Sequence, residues 1–380
     1  MFIFNLIILF PILNLVQCAS INKSDEGTLI FLNVIFRHGA RTTYSFYPND
    51  PYKNETFYPY GLGALTNEGK LGEYKLGQFL KNLYGDFLGE DYTEDKVYVR
   101  STDVTRTQTS AQLVVAGLFP PTEKLMWHPE LQWQPIPILY KPGHIEDIFH
   151  RRYNCPYKDS ILNDLPNTPT AYEKFLKPYA ELYEYIEKHS GKQMSTPTDA
   201  AELFFNLKCE ADMGYKLPAW TESIFPEKLQ VAAGQVYGYF NHVNDITKIN
   251  SGYHIKKILE DCEQKAINTI FPRDRKLMLY SGHESTVGLM LNALKVGQPE
   301  IPNYGSAILF ELRKLNNKYF IKIRYHKNSG EQQPTDLKIP SCDVMCPFHE
   351  FKRLQKHILP IITIEEACRP SSVDNDKLLF

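Results

Sequence analysis

The sequence predicts an α/β fold: a central mixed, mostly parallel sheet flanked by helices, with a mostly helical inserted cap domain. Three observations lead there. Short apolar, β-favouring runs stop abruptly at ionisable clusters that open loops or helices, around residues 30–43, 96–106 and 275–287. Between about residues 145 and 250 the apolar positions recur at helical spacing, and no strand pattern is convincing. Near the C-terminal end, two β-favouring runs flank Asn316-Asn317, which reads as a hairpin turn.

The chain has 380 residues, 43% hydrophobic and 23% charged, which suits one large domain or a domain with an insertion. A formal net charge of −2 creates no bulk field toward nucleic acid or membrane. Residues 1–19 read as a secretory signal peptide, apolar from Met1 through Val16, uncharged, and followed by the small residues Cys18, Ala19 and Ser20. An uncleaved membrane anchor is the alternative, and Pro11 with the shortness of the run argues against it. No later segment is long and apolar enough to span a membrane, so the expectation is a secreted protein, with the lysosomal lumen as the alternative. Asn22-Lys23-Ser24 and Asn54-Glu55-Thr56 are glycosylation sequons in keeping with that route. Beyond Cys18 stand Cys155, Cys209, Cys262, Cys342, Cys346 and Cys368, an even set that suggests three disulfides. Six cysteines allow fifteen pairings, and spacing alone chooses none of them, though Cys342 and Cys346 are near enough for a local bridge. No second Cys or His pair is spaced for zinc, so no metal and no cofactor is expected.

Taken in order, residues 30–36 form a buried strand that delivers Arg37-His38-Gly39-Ala40-Arg41. A long Tyr- and Pro-rich loop follows over 44–60. Thr66 caps a helix over about 67–84, with Leu71, Tyr74, Leu76, Phe79, Leu80 and Leu83 on one stripe. A short strand at 96–100 runs into Ser101-Thr102-Asp103, strong N-cap signals for a helix to about Leu118 that carries Arg106 in its first turn. Residues 126–239 read as the helical insertion, with helices over 172–188, 199–210 and 226–239, and 20–125 with 240–380 form the core. A helix over 254–269 precedes the strand 275–280, which delivers Ser281-Gly282-His283-Glu284 and a helix over 287–294. The hairpin 308–325 and a last helix over 347–357 complete the chain.

The residue types at the junctions point to an anion site. Ligands in open α/β sheets sit beyond the carboxyl ends of strands. Arg37 and Arg41 flank His38, and unpaired cations make poor core. They fit a dianion between them, since the guanidinium fork binds phosphate oxygens in pairs. Their field disfavours imidazolium and keeps His38 neutral. Arg106 gains nothing from the positive end of a helix, so a bound anion explains it better than helix stability does. Glu284 has a structural reason to open a helix, whereas His283 beside it has none.

Arg37-His38-Gly39-Ala40-Arg41, Arg100 through Thr107 and Ser281-Gly282-His283-Glu284 together resemble the signatures of the histidine acid phosphatase family, the larger-insertion branch of the histidine phosphatase superfamily. Trp133-Gln134-Pro135-Ile136-Pro137 and Cys342 to Pro347 extend the likeness, which covers the mature chain and is nearest the lysosomal, prostatic and insect venom types. The resemblance implies a metal-independent acid phosphatase acting on small-molecule or phosphoprotein monoesters. His38 would carry a covalent phosphohistidine. Arg37, Arg41, Arg106 and His283 would bind phosphate, and Glu284 would protonate the leaving alcohol. It also implies disulfides Cys155–Cys368 and Cys342–Cys346, and a homodimer. Three departures stand out. Thr43 occupies a usual proline position; the acid is Glu284 where many members have Asp; and Cys209 lacks its usual partner, which would lie near Ala307. Cys262 is an extra cysteine, so a Cys209–Cys262 bond is expected. The alternatives are a phytase-like inositol-phosphate phosphatase and a catalytically silent binding or venom-type protein on the same scaffold.

Overall fold

The computed structural model of the chain describes residues 26–149, 155–297, 300–328 and 330–370. The expected leader over 1–19, Cys18, the sequon at Asn22, His150 and residues 371–380 lie outside them.

The first half supplies β1 (Thr28–Arg37), α1 (Asn67–Leu88), β2 (Val97–Ser101), α2 (Thr105–Leu118) and the two-residue β3 (Leu139–Tyr140). Helices follow: α3 (Pro156–Asp164), α4 (Ala180–Ser190), α5 (Pro197–Asp212), α6 (Glu227–Phe240) and α7 (Tyr253–Ala266). The last part holds β4 (Leu277–Gly282), α8 (Glu284–Ala293), β5 (Ala307–Leu315), β6 (Lys318–His326), β7 (Thr335–Leu337), β8 (Met345–Pro347) and α9 (Phe348–Gln355). Shorter helical turns lie between these elements, and no strand occurs among the described residues from 145 to 250.

The sheet runs β3-β2-β4-β1-β5-β6-β7, with β8 also on β6. It is mixed, as expected. Three of its pairings are parallel (β1–β4, β2–β4, β2–β3) and four antiparallel. The antiparallel half is larger than the sequence suggests because β6 recruits β7 and β8, three-residue strands too short to show a period. The parallel half carries the ionisable junctions.

β1 is buried on both faces, which explains its nearly continuous apolar run. Phe31 and Ile35 pack into the core shared with α7, α8 and α9. Leu32, Val34 and Phe36 pack into the opposite core, under α1 and α2. A third core joins α4, α5 and α6 and reaches the sheet layer through Leu289 of α8. The expected Thr66 cap is present, its Oγ1 accepting from Gly69 N at 3.1 Å. Asn316 and Asn317 both adopt positive φ (49° and 60°), the backbone that a two-residue hairpin turn needs.

Cys155–Cys368 and Cys342–Cys346 are bonded. The expected Cys209–Cys262 bond is not: both thiols are free and buried. The reason is position. Cys262 sits on α7 in the core between that helix and the sheet, with Asn33 Nδ2 3.9 Å from its sulfur. Cys209 sits on α5, where its sulfur meets Arg41 and Tyr304.

Candidate active site

Parallel register brings the strand ends level. Arg37 at the end of β1 lies opposite Gly282 at the end of β4, and Ser101 at the end of β2 lies opposite Ser281. His38 N donates to Gly282 O at 3.0 Å and Thr102 N to Ser281 O at 3.2 Å. His38, Thr102 and His283 therefore leave the sheet side by side. The loop is pressed against α1: a Cβ on Gly39 would stand 2.4 Å from Gly69 O, so only glycine fits.

His38 is fully buried. Its Nδ1 lies 2.8 Å from Gly39 O, and Arg106 Nε donates to its Nε2 at 3.1 Å. A carbonyl can only accept, so the proton sits on Nδ1 and Nε2 carries the lone pair. Burial, then Arg106, Arg37 and Arg41, hold its pKa well below the usual 6.5. The imidazole thus stays neutral in mildly acidic medium.

His283 caps α8. Its Nε2 lies 3.0 Å from Thr102 Oγ1 and its Nδ1 3.5 Å from Arg106 Nη2, while its ring meets that of His38 edge-on at 5.5 Å. Glu284 is the first residue of α8 and half-buried. His38, His283 and Glu284 each offer a ligating atom, and these all lie within 4.8 Å of one another.

Arg37 donates from Nη1 to Pro302 O at 2.5 Å and stacks on Tyr304 at 4.0 Å and Phe205 at 5.4 Å. Arg41 donates from Nη1 to Thr42 O at 2.8 Å, and its guanidinium lies over Tyr44 at 4.4 Å. Buried Nε and Nη2 of Arg37, and Nε of Arg41, have no protein acceptor. Buried N–H groups at this density call for an acceptor, and an oxyanion would supply one.

The six residues expected from the sequence, Arg37, His38, Arg41, Arg106, His283 and Glu284, thus converge on one place. Arg100 of the second motif does not join them. It is buried on the other side of β2 and ties Glu146 and Asp147, each at 2.6 Å. The cap expected from Ser101, Thr102 or Asp103 also differs, because the N-cap of α2 is Val104, with no side-chain bond. Those polar side chains serve elsewhere: Thr102 faces His283, and Asp103 accepts from Gly143 N at 2.6 Å.

A family model for the histidine phosphatase superfamily (branch 2) matches residues 28–326. The chain belongs to that superfamily. Among similar histidine phosphatases, venom acid phosphatase Acph-1 of Apis mellifera is 35% identical, covering 88% of this chain and 86% of the relative. Lysosomal acid phosphatase of Rattus norvegicus is 32% identical, covering 88% of this chain and 78% of its own. Among solved structures, apo Hafnia alvei phytase has a similar fold, with a TM-score of 0.65 over 90% of this chain and 98% of its own. At 17% identity that likeness speaks for the fold alone.

Sequence reasoning missed Tyr44, Phe205, Cys209 and Tyr304, which form the wall behind the arginines. Two of them lie on α5, far from the motifs in sequence, and only the packing of that helix brings them in.

Proposed function

We propose that this protein is an acid phosphatase that hydrolyses phosphate monoesters through a covalent phosphohistidine on His38. The observation that carries this reading is the Nδ1-protonated imidazole of His38, whose Nε2 accepts from Arg106 Nε, in a cluster where buried N–H groups of Arg37 and Arg41 lack acceptors. In the first step Nε2 attacks phosphorus, and the bond to the leaving oxygen breaks as Glu284 gives that oxygen its proton. Arg37, Arg41, Arg106 and His283 neutralise the phosphoryl oxygens throughout. In the second step water attacks phosphorus, Glu284 takes a proton from that water, the N–P bond breaks and phosphate leaves.

The spacing of His38, His283 and Glu284 would also admit a divalent cation. Three guanidinium groups act on the same imidazole and oppose a cation there, so the reaction runs without one. The test is hydrolysis of an aryl phosphate in excess EDTA. Sustained turnover by the wild type, with loss of several powers of ten in His38→Ala, supports the reading. Turnover that collapses in EDTA and returns with added metal overturns it.

The leaving group has a place to go. A cavity of about 370 Å³ opens beside Glu284 and Tyr44, with Phe205, Val236, Phe240 and Leu289 among its walls. It suits a small apolar or aryl alcohol, and a phosphorylated side chain could enter by the same mouth. The inositol-phosphate and catalytically silent readings are not favoured, since all six residues converge and the similar sequences are named acid phosphatases.

By analogy with venom and lysosomal relatives, the protein works outside the cell or in the lysosomal lumen, after loss of residues 1–19. No helix among the described residues is long and apolar enough to cross a membrane. Residues 126–239 act as a cap over the site, and Asn54, exposed on its loop, carries a glycan. Exposed Leu139 and Tyr140 at the β3 edge favour pairing with a second copy.

A further inference from the structure

One turn of α5 faces the loop that follows His38. Asn206, Cys209 and Glu210 stand at i, i+3 and i+4, the spacing of a single helical stripe. Asn206 Oδ1 accepts from Thr43 Oγ1 at 3.1 Å and from Ser45 Oγ at 3.4 Å. Its Nδ2 donates to Asp50 Oδ2 at 3.2 Å. Cys209 Sγ accepts from Arg41 Nη1 at 3.4 Å. The stripe therefore grips Arg41, Thr43, Ser45 and Asp50 at once.

Glu210 is fully buried, and neither of its oxygens has a donor in bonding geometry. Its polar neighbours are the Asp50 carboxyl and the Asn206 amide, which gives one of its two protons to Asp50. Asp50 is itself buried and takes donors on both oxygens, from Asn206 and from Tyr52 N at 2.8 Å. Two carboxyl groups in contact away from water cannot both be ionised. Asp50, with its two donors, is the better placed acceptor of the two. Glu210, with neither oxygen in good donor geometry, suits the acid, whose O–H then points to Asp50.

We propose that Glu210 and Asp50 share one proton and, through Asn206 and Thr43, act as positioning residues for the Arg41–Tyr44 segment, locking the phosphate cradle in acid and loosening it in alkali. The proposal rests on Arg41 binding phosphate, as read above. It accounts for Thr43 at the usual proline position: the hydroxyl, bonded to Ser45 O at 2.7 Å and to Asn206, fixes a loop that a proline ring would otherwise stiffen. Burial, then Asp50, pushes Glu210 up to about 8, so the proton stays through the acid and neutral range. Around the pair stand Tyr52 and two tyrosines that burial holds neutral there, Tyr47 and Tyr215. Once the proton leaves, like charges repel in a poorly screened site. Asp50 then moves from α5, and the slack reaches Thr43 through Asn206.

The experiment measures affinity for inorganic phosphate from about pH 5 to about pH 9.5, in the wild type and in Glu210→Gln, whose amide offers Asp50 a donor at every pH. The wild type should lose affinity by roughly five- to a hundredfold, with a midpoint near 8. Glu210→Gln should match it in acid and stay flat in alkali. Parallel falls in the two proteins overturn the proposal. Should Glu210→Gln not fold, infrared spectra decide. A protonated-carboxyl band should vanish near the same midpoint in the wild type, and at lower pH in Asp50→Asn, where the like charge is gone. A band that titrates alike in both overturns the shared proton. Absence of phosphate binding at every pH would instead remove the cradle reading, and the infrared result would still stand.

Discussion

At His38, burial and three guanidinium groups act in one direction, and the Gly39 carbonyl fixes which nitrogen is free. A histidine nucleophile in an acidic medium must resist protonation; burial and the guanidinium groups help it do so, while the Gly39 carbonyl pulls weakly the other way. Activity should therefore persist on the acid side to well below pH 6.5, the usual histidine value. Glu284 has a different task, and its loss should depend on the substrate. Glu284→Gln should cut kcat by roughly 100- to 10,000-fold for alkyl esters, whose leaving oxygen needs a proton. For an aryl ester with a strongly acidic phenol the loss should be far smaller. Equal losses across a series of leaving groups would contradict the acid role. The clustering of Arg37, His38 and Arg41 was legible because they stand at a strand end where an unpaired charge has no structural excuse. The wall behind them was not. Cys209 and Phe205 look like core residues in sequence, and only the direction of one helix turn sets them against Arg41 and Arg37.

Elements were legible where local chemistry decides them. Thr66 and the Asn316-Asn317 pair act through their own backbone, so their roles could be read directly. The cap of α2 could not, because tertiary partners claim Thr102 and Asp103. The pattern over 172–188 reads as one helix, yet α4 begins only at Ala180 after a π turn and a 3-10 turn around Pro178. Proline removes an N–H and crowds the preceding turn, which breaks the regular ladder. Disulfides are the same kind of problem, since Cys209 and Cys262 match in number but not in place. The two bonds that do form should differ in worth. Cys155–Cys368 closes a separation of 213 residues and Cys342–Cys346 one of 4. Loop-closure entropy predicts about 5 kcal/mol lost on removing the first and about 2 kcal/mol on removing the second. Urea midpoints of the paired Cys→Ala variants would check this, and equal losses would contradict it.

Over the whole molecule, buried titratable groups set a pH window for stability. Burial lowers His254 to about 3 and His326 to about 4, and burial with the neighbouring arginines holds His38 well below 6.5. Each is protonated in the unfolded chain before the folded one, so its contribution is present above pH 6.5 and lost as pH falls. Burial raises Glu210 to about 8, and raises Glu73 and Asp261 as well. Their contribution is full below the unfolded carboxyl value, 4.5 for glutamate, and is lost as pH rises. The two sets oppose each other between these limits and act alone outside them. Thermal unfolding should therefore give its highest Tm between about pH 4.5 and 6.5. A Tm that climbs steadily through pH 8 would contradict this balance. The sheet and its helical insertion were legible as patterns, whereas this balance was not, because burial is a property of the assembled fold.

The central claim is the covalent bond to His38, and trapping it is the most direct test. Enzyme mixed with a radiolabelled aryl phosphate and quenched in alkali within the first turnovers should hold label on the peptide containing His38. That label should be stable to base and labile to acid, as a phosphoramidate is. His38→Ala should hold none. Turnover without any trapped label, or label on a hydroxyl side chain that survives acid, would contradict the phosphohistidine account.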